Sequence, residues 1–315
     1  MRFGIIGLGR MGRSLAVKAL EAGHEPVGWD PSEEARTDTQ GGGGVETADT
    51  LEELVQSLDP PRFLLMYVPQ GAPVEANVAT LRELLSDGDV LGDGGNSHWE
   101  PSETHRSRLD EVGVRYLDVG TSGGIAEASG WEGAAFMVSG DRDAYEWVEP
   151  LLQDLAVSDG AVHYVGEGSS GHFAKLVHNA IEFGMIQAIA EGVELLARSD
   201  YEIDLAALFA HWNHGTVIRS WLVELMANAL EEGPIGDAAD PEADFARLST
   251  YVEDTGEVKW VLSWALEKDI PTPAVSTAQQ ALMGYRNVNS PAAKAVALLR
   301  NQFGGHPVHV EERDE

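Results

Sequence analysis

Hydrophobic and polar positions follow two textures along the chain. In the first half, short apolar runs predict strands over 2–6, 25–29, 63–68, 90–93, 115–119 and 135–138, with helical periodicity between them, as over 13–22 and 74–85. Alternation of strand and helix predicts parallel crossovers and a doubly wound α/β sheet. The four glycines 41–44 predict a loop, since glycine favours neither helix nor strand. After Gly166-Glu-Gly-Ser-Ser-Gly171 the texture changes. Residues 172–198 form one long apolar-periodic stretch without proline, and further helical segments are predicted over 205–209, 217–231, 257–268 and 273–283. The division expected is therefore an α/β domain over 1–165 and an all-α domain over 166–315. No internal repeat is visible.

Composition narrows the function classes. At 43% hydrophobic residues the chain can build a packed core, and its 315 residues exceed what one core usually holds. Acidic residues number 52 against 21 basic ones, a formal net charge of −31, which excludes a nucleic-acid surface. No apolar stretch reaches the roughly 18 residues of a membrane span, and the start shows no signal-peptide pattern, so the expected location is the cytoplasm. Cysteine is absent, which excludes disulfides, thiolate metal sites and thiol nucleophiles; no metal site is expected. There are five lysines and sixteen arginines. A carboxylate-rich, lysine-poor surface suits molar salt, where the Debye length shrinks to about 3 Å, and points to a halophilic cytoplasm; an ordinary acidic protein is the plainer alternative.

The first motif is Gly7-Leu8-Gly9-Arg10-Met11-Gly12, directly after an apolar strand and directly before a helix. Gly7 would permit the tight turn, Gly9 would let the backbone approach a pyrophosphate, and Gly12 would let helix and strand pack closely, with the helix N-terminus facing the phosphates. Asp30 ends the second strand, where its carboxylate can accept ribose hydroxyls and would repel a 2′-phosphate. Pro31 stands where an arginine could bind that phosphate. The expectation is a Rossmann-type domain that takes NAD in preference to NADP.

The second motif is Gly171-His-Phe-Ala-Lys175-Leu-Val-His178-Asn179-Ala-Ile-Glu182. On a helix, Lys175, His178, Asn179 and Glu182 share one stripe, so a cation, an imidazole, an amide and an acid meet one cleft. A solvated, salt-bridged face would give the same pattern. Against it, lysine is scarce in this chain and the stripe lies inside an apolar helix.

With these go Asp93-Gly-Gly-Asn96-Ser97, Gly120-Thr-Ser122-Gly123-Gly124, Trp212-Asn213-His-Gly215, Arg219-Ser220-Trp221-Leu222 and Arg300-Asn-Gln-Phe303-Gly304-Gly305-His306. Over nearly its whole length the chain resembles the shorter type of decarboxylating 6-phosphogluconate dehydrogenase. The glycine motif and the Lys175 position are shared with the wider β-hydroxyacid dehydrogenases; the His178-Asn179 pair, Glu182 and the Arg300/His306 spacing are more specific. The resemblance implies that Lys175 is the general base and Glu182 the general acid, and that Asn96, Ser122, Gly123, Gly124, His178 and Asn179 hold a sugar-acid phosphate. It implies that Arg286, Arg300 and His306 meet the phosphate, the last two from the C-terminal tail of a partner subunit in a homodimer or tetramer. Val68 and Pro69, with Asn96, match the segment on the nicotinamide side of the cofactor.

The chain departs from that pattern at Phe183, where the family often has tyrosine, and at Thr255-Gly256, where longer members carry a lysine. It also lacks their duplicated helical half. Two other readings compete with oxidative decarboxylation. One is a β-hydroxyacid dehydrogenase without decarboxylation, which has no need of Glu182. The other is a nucleotide-sensing regulatory protein with a relict site, which has no need of Lys175 and Glu182 together.

Overall fold

The computed structural model describes residues 1–123, 133–232, 248–286, 290, 291 and 295. Residues 1–180 and 181–315 form two compact units.

The first unit carries an eight-stranded sheet in the order β3-β2-β1-β4-β5-β6-β7-β8. Its strands are β1 (Arg2–Ile6), β2 (Glu25–Trp29), β3 (Glu46–Thr47), β4 (Phe63–Met66), β5 (Val90–Asp93), β6 (Arg115–Ser122), β7 (Ala135–Gly140) and β8 (Val162–Gly166). Between them run α1 (Arg10–Glu21), α2 (Glu33–Gly43), α3 (Leu51–Gln56), α4 (Ala72–Leu84), α5 (Trp99–Asp110) and α6 (Arg142–Leu155). The order reverses between β1 and β4, both parallel to their neighbours, which makes their C-terminal ends the switch-point crevice of a doubly wound sheet. One core cluster gathers Phe3, Ile5, Leu15, Phe63, Val119 and Leu152; a second gathers Ile6, Leu54, Leu64, Met66, Val78 and Leu91. Strand residues alternate between the two clusters because a sheet covered on both faces must bury both sets of side chains.

The expected Rossmann-type sheet is present, with two corrections. β7 runs antiparallel to β6, with Leu117 opposite Gly140 and Ser122 opposite Ala135, so not every connection is a parallel crossover. Second, the glycines 41–43 are helical. Ser32 caps α2 by accepting from the Ala35 amide, Glu33 and Glu34 favour its first turn, and Gly44 ends it at φ 68°. A side chain at Gly43 would reach 2.7 Å from Val17 of α1. Close approach of α1, in place of helix propensity, explains why glycine stands there. β3 and β8, unread in the sequence, are a two-residue strand and a five-residue strand whose last three residues are only half-buried.

The long helix α7 (Ser170–Ala197) begins in the first unit. The second unit holds its remainder with α8 (Leu205–Trp212), α9 (Trp221–Glu232), α10 (Glu257–Glu267) and α11 (Pro273–Arg286). Val193, Phe209, Val223 and Ala227 form its small core. No strand occurs among its described residues, as the all-α expectation requires.

Candidate active site

The glycine loop sits where β1 meets β4. Gly7 has φ 91°, and a Cβ there would lie 2.2 Å from the Tyr67 carbonyl oxygen; a Cβ on Gly12 would lie 2.0 Å from the Gly7 oxygen. Both positions therefore require glycine. A Cβ on Gly9 would meet nothing within 4 Å, so the backbone at the start of α1 faces open space. Leu8 is buried against Gly28, while Arg10 is exposed and Met11 half-buried in the first turn of α1. Asp30 does more than end β2. Its Oδ2 accepts from the Leu8 amide at 2.8 Å and its Oδ1 from the Ser32 amide at 2.8 Å, so the carboxylate holds the glycine loop in place. Two further lone pairs remain for hydroxyl donors. Arg36 binds the Asp30 carbonyl at 2.8 Å and faces Asp49 at 3.6 Å. This open glycine turn, helix N-terminus and strand-end carboxylate fit a dinucleotide.

Beyond β4, the backbone of Tyr67, Val68 and Pro69 runs beside the turn after β5. A Cβ on Gly95 would lie 3.0 Å from the Val68 oxygen, and Gly94 lies against the Tyr67 ring. Tyr67 is half-buried and shares a 2.9 Å hydrogen bond with Thr121, and desolvation of its hydroxyl pushes its pKa up. Asp93 shapes the next turn. It is wholly buried and accepts from the Gly95 amide (3.0 Å), the Ser97 hydroxyl (3.1 Å) and the Tyr116 hydroxyl (3.2 Å). Asn96 is the residue this turn presents.

The first turns of α7 reach the same strand ends because two glycines face each other. A Cβ on Gly171 would lie 2.6 Å from the Asp118 oxygen, and one on Gly120 would lie 2.6 Å from the Gly171 oxygen. Lys175 Nζ donates to Asn179 Oδ1 at 2.8 Å, and Asn179 Nδ2 donates to Asn96 Oδ1 at 3.4 Å. His178 has one ring nitrogen 3.4 Å from the Ser122 hydroxyl and the other 3.3 Å from Asn179 Oδ1. The structure thus brings together Lys175, His178, Asn179, Asn96 and Ser122, with Gly123 directly following at φ 134°. Glu182 stands seven residues beyond Lys175 on the same helix, half-buried, past the division at Ala180.

Arg286 ends α11 with its guanidinium 3.5 Å from Asp254, over the ring of Tyr251. Lys259 lies 2.6 Å from the same carboxylate, which also accepts from Gln279 at 3.1 Å and from the Gly256 amide at 2.9 Å. Burial would push Asp254 up; Lys259, Gly256 and Gln279 outweigh it and hold the group below the usual carboxylate range. Part of the Arg286 donor fork is thus already engaged by a buried acid. Gly124, Arg300 and His306 lie outside the described residues.

One pair was not legible in the sequence. His172, 1% exposed, places Nδ1 2.8 Å from Asp118 Oδ1, equally buried, and Nε2 3.1 Å from the Asp93 carbonyl oxygen. Burial alone would lower the imidazole, but the charge and hydrogen bond of Asp118, joined by Asp93, push it up to about 9. A histidine at a helix start and an aspartate inside a strand carry no signal of their pairing. Among the described residues there is no group of three or more residues suited to hold a metal, and no helix long and apolar enough to cross a membrane.

A glycine-turn Rossmann sheet with a lysine–asparagine site at its strand ends defines a nicotinamide-dinucleotide dehydrogenase architecture. Residues 2–166 match the NAD binding domain of 6-phosphogluconate dehydrogenase, and 171–233 and 197–315 match the C-terminal domain of the same enzyme. The chain belongs to the 6-phosphogluconate dehydrogenase family. It is 41% identical over 97% of its length to a putative 6-phosphogluconate dehydrogenase, YqeC, of Bacillus subtilis, covering 98% of that protein. It is 37% identical over 98% of its length to an NAD(+)-dependent, decarboxylating 6-phosphogluconate dehydrogenase of Haloferax volcanii, again covering 98%. Among solved structures, Plasmodium falciparum 6-phosphogluconate dehydrogenase matches the whole chain at a TM-score of 0.82 and 27% identity, with 67% of that longer chain covered. A 3-hydroxyisobutyrate dehydrogenase of Salmonella typhimurium shares the fold at a TM-score of 0.71 and 22% identity, over 90% of this chain and 93% of that one.

Proposed function

We propose that this chain catalyses oxidative decarboxylation of 6-phosphogluconate to ribulose 5-phosphate and CO2, with NAD as oxidant, as a cytoplasmic enzyme of the pentose phosphate pathway. The observation that carries the reading is the hydrogen-bonded chain Lys175–Asn179–Asn96 at the strand ends. Residues 1–165 would bind the dinucleotide and 166–315 would supply substrate and dimer contacts. Gly7, Leu8, Gly9, Arg10, Met11 and Gly12 would form the pyrophosphate turn, Asp30 would take the ribose hydroxyls, and Val68, Pro69 and Asn96 would border the nicotinamide. When bound, the nicotinamide supplies the hydride acceptor.

Lys175, as the neutral amine, takes the proton from the hydroxyl on carbon 3 as that alcohol is oxidised. Asn179 fixes the amine, and Asn96, Ser122, Gly123, Gly124 and His178 orient the sugar acid. The β-keto acid then loses CO2 while the Lys175 ammonium donates to the ketone oxygen. Glu182, on the same helix stripe, protonates carbon 1 of the enediol. That last step separates decarboxylation from simple β-hydroxyacid oxidation, which needs no second acid. Arg286, Arg300 and His306 would meet the phosphate, the last two from the tail of a second subunit. Exposed apolar residues of the second unit, among them Ile181, Ile186 and Trp221, support a homodimer or tetramer. The net charge of −31 favours activity in high salt. CO2 release from 6-phosphogluconate, measured with NAD and with NADP at low and high salt, tests the reading. Reduced cofactor without CO2 would leave a plain β-hydroxyacid dehydrogenase, and neither product would leave a sensing protein.

A further inference from the structure

The His172–Asp118 pair lies directly beneath the turn of α7 that carries Lys175. Asp118 Oδ1 accepts twice from one residue, from the imidazole at 2.8 Å and from the His172 amide at 3.0 Å. The other ring nitrogen binds the carbonyl of Asp93 at 3.1 Å, and the Asp93 carboxylate shapes the turn that presents Asn96. Ser102 of α5 stands 3.3 Å from Nδ1, and Ser139 of β7 accepts the Gly171 amide at 2.8 Å. One side chain therefore ties the first turn of α7 to β6 and to the end of β5. Lys175 follows His172 by three residues, one helical step along the same side. Asn96 follows Asp93 by three in the turn it shapes.

We propose that His172, held by Asp118, is a positioning residue: it fixes the separation of Lys175 and Asn179 on α7 from Asn96 on the β5 turn. A neutral hydrophobic contact would hold α7 to the sheet without setting that separation. The charged clamp sets it because both ring nitrogens are used, one on each of the two strands, and a buried His–carboxylate pair tolerates little displacement before its desolvation is uncompensated. A misplacement of about 1 Å at the base costs about 100-fold in rate. The inference rests on the proposed role of Lys175, so its test includes a readout independent of turnover.

The variants are His172→Gln and Asp118→Asn, singly and together. Turnover is followed with the full enzyme, and acetic anhydride labelling of each lysine by mass spectrometry, with Lys18 and Lys268 as references. In folded variants we expect kcat to fall about 100-fold with KM for NAD within about twofold of wild type. Lys175 labelling should rise severalfold against the two references, and the double variant should be no worse than the poorer single one, since both break one clamp. Unchanged kcat, or unchanged Lys175 labelling, overturns the proposal. So does strict additivity, and so does failure of both single variants to fold, which would assign the pair to folding alone. If wild type itself does not turn over 6-phosphogluconate, the proposed reaction falls, and the labelling still decides whether the clamp sets the lysine.

Discussion

A Cβ placed on Gly120 would lie 2.8 Å from the Cβ of Lys175. The strand that ends in Ser122 and the helix that carries the candidate base therefore touch with no room for a methyl group. Gly120→Ala must push α7 away from β6. The expected cost is about 1–3 kcal/mol of stability, read as a lower midpoint in urea, with a larger proportional loss of kcat than of NAD affinity. Full activity in a stable Gly120→Ala protein would show that the lysine's height above the sheet does not matter.

Lys175→Met should lower turnover by at least about 10²-fold and leave NAD affinity, followed by fluorescence titration, nearly unchanged. The glycine loop and Asp30 stand at the ends of β1 and β2, whereas this lysine stands on α7 bonded to Asn179, so turnover and cofactor affinity should separate. A variant that keeps most of its activity would remove Lys175 from the role of base.

Asp30 holds the Leu8 and Ser32 amides, one with each carboxylate oxygen, and each oxygen keeps a further lone pair. NAD should therefore exceed NADP in kcat/KM by at least about tenfold, from like-charge repulsion and lost ribose hydrogen bonds. Asp30→Ala should weaken both cofactors, because the loop itself loses its tether. Equal use of NAD and NADP at low and high salt would contradict the first expectation; improved NADP use in Asp30→Ala would contradict the second.

The imidazole of His172, raised from 6.5 to about 9 in the fold, gives stability a definite pH dependence. A group with a raised folded pKa contributes fully below its unfolded value and loses that contribution as pH climbs through the folded one. Tm should thus fall between about pH 6.5 and 9, by the equivalent of up to about 3 kcal/mol. In Asp118→Asn this decline should vanish. Differential scanning calorimetry across that range checks it, and a flat wild-type profile would mean that His172 is neutral in the fold.

Mixing Lys175→Met chains with Arg300→Ala/His306→Ala chains should restore activity after subunit exchange. The heterodimer then has one site with an intact lysine and an intact partner tail. No recovery after verified exchange would place the tail on its own subunit or outside the site.

The sequence alone determined what depends on local periodicity and on residue type. Six of the eight strands, the long helix α7 and the glycine turn were legible because apolar spacing and the need for glycine at a tight turn are properties of a few neighbouring residues. The stripe from Lys175 to Glu182 was legible because a helix repeats every 3.6 residues. Tertiary structure decided what depends on approach between distant segments. It made a helix of the glycines 41–43, because α1 packs closely there, and turned β7 antiparallel to β6. It also engaged Arg286 with Asp254, and gave Asp30 two backbone amides to hold. The pairing of His172 with Asp118, 54 residues apart, belongs to this second kind. A buried charge finds its partner through the sheet register that brings β6 beneath α7, and no spacing along the chain encodes that distance.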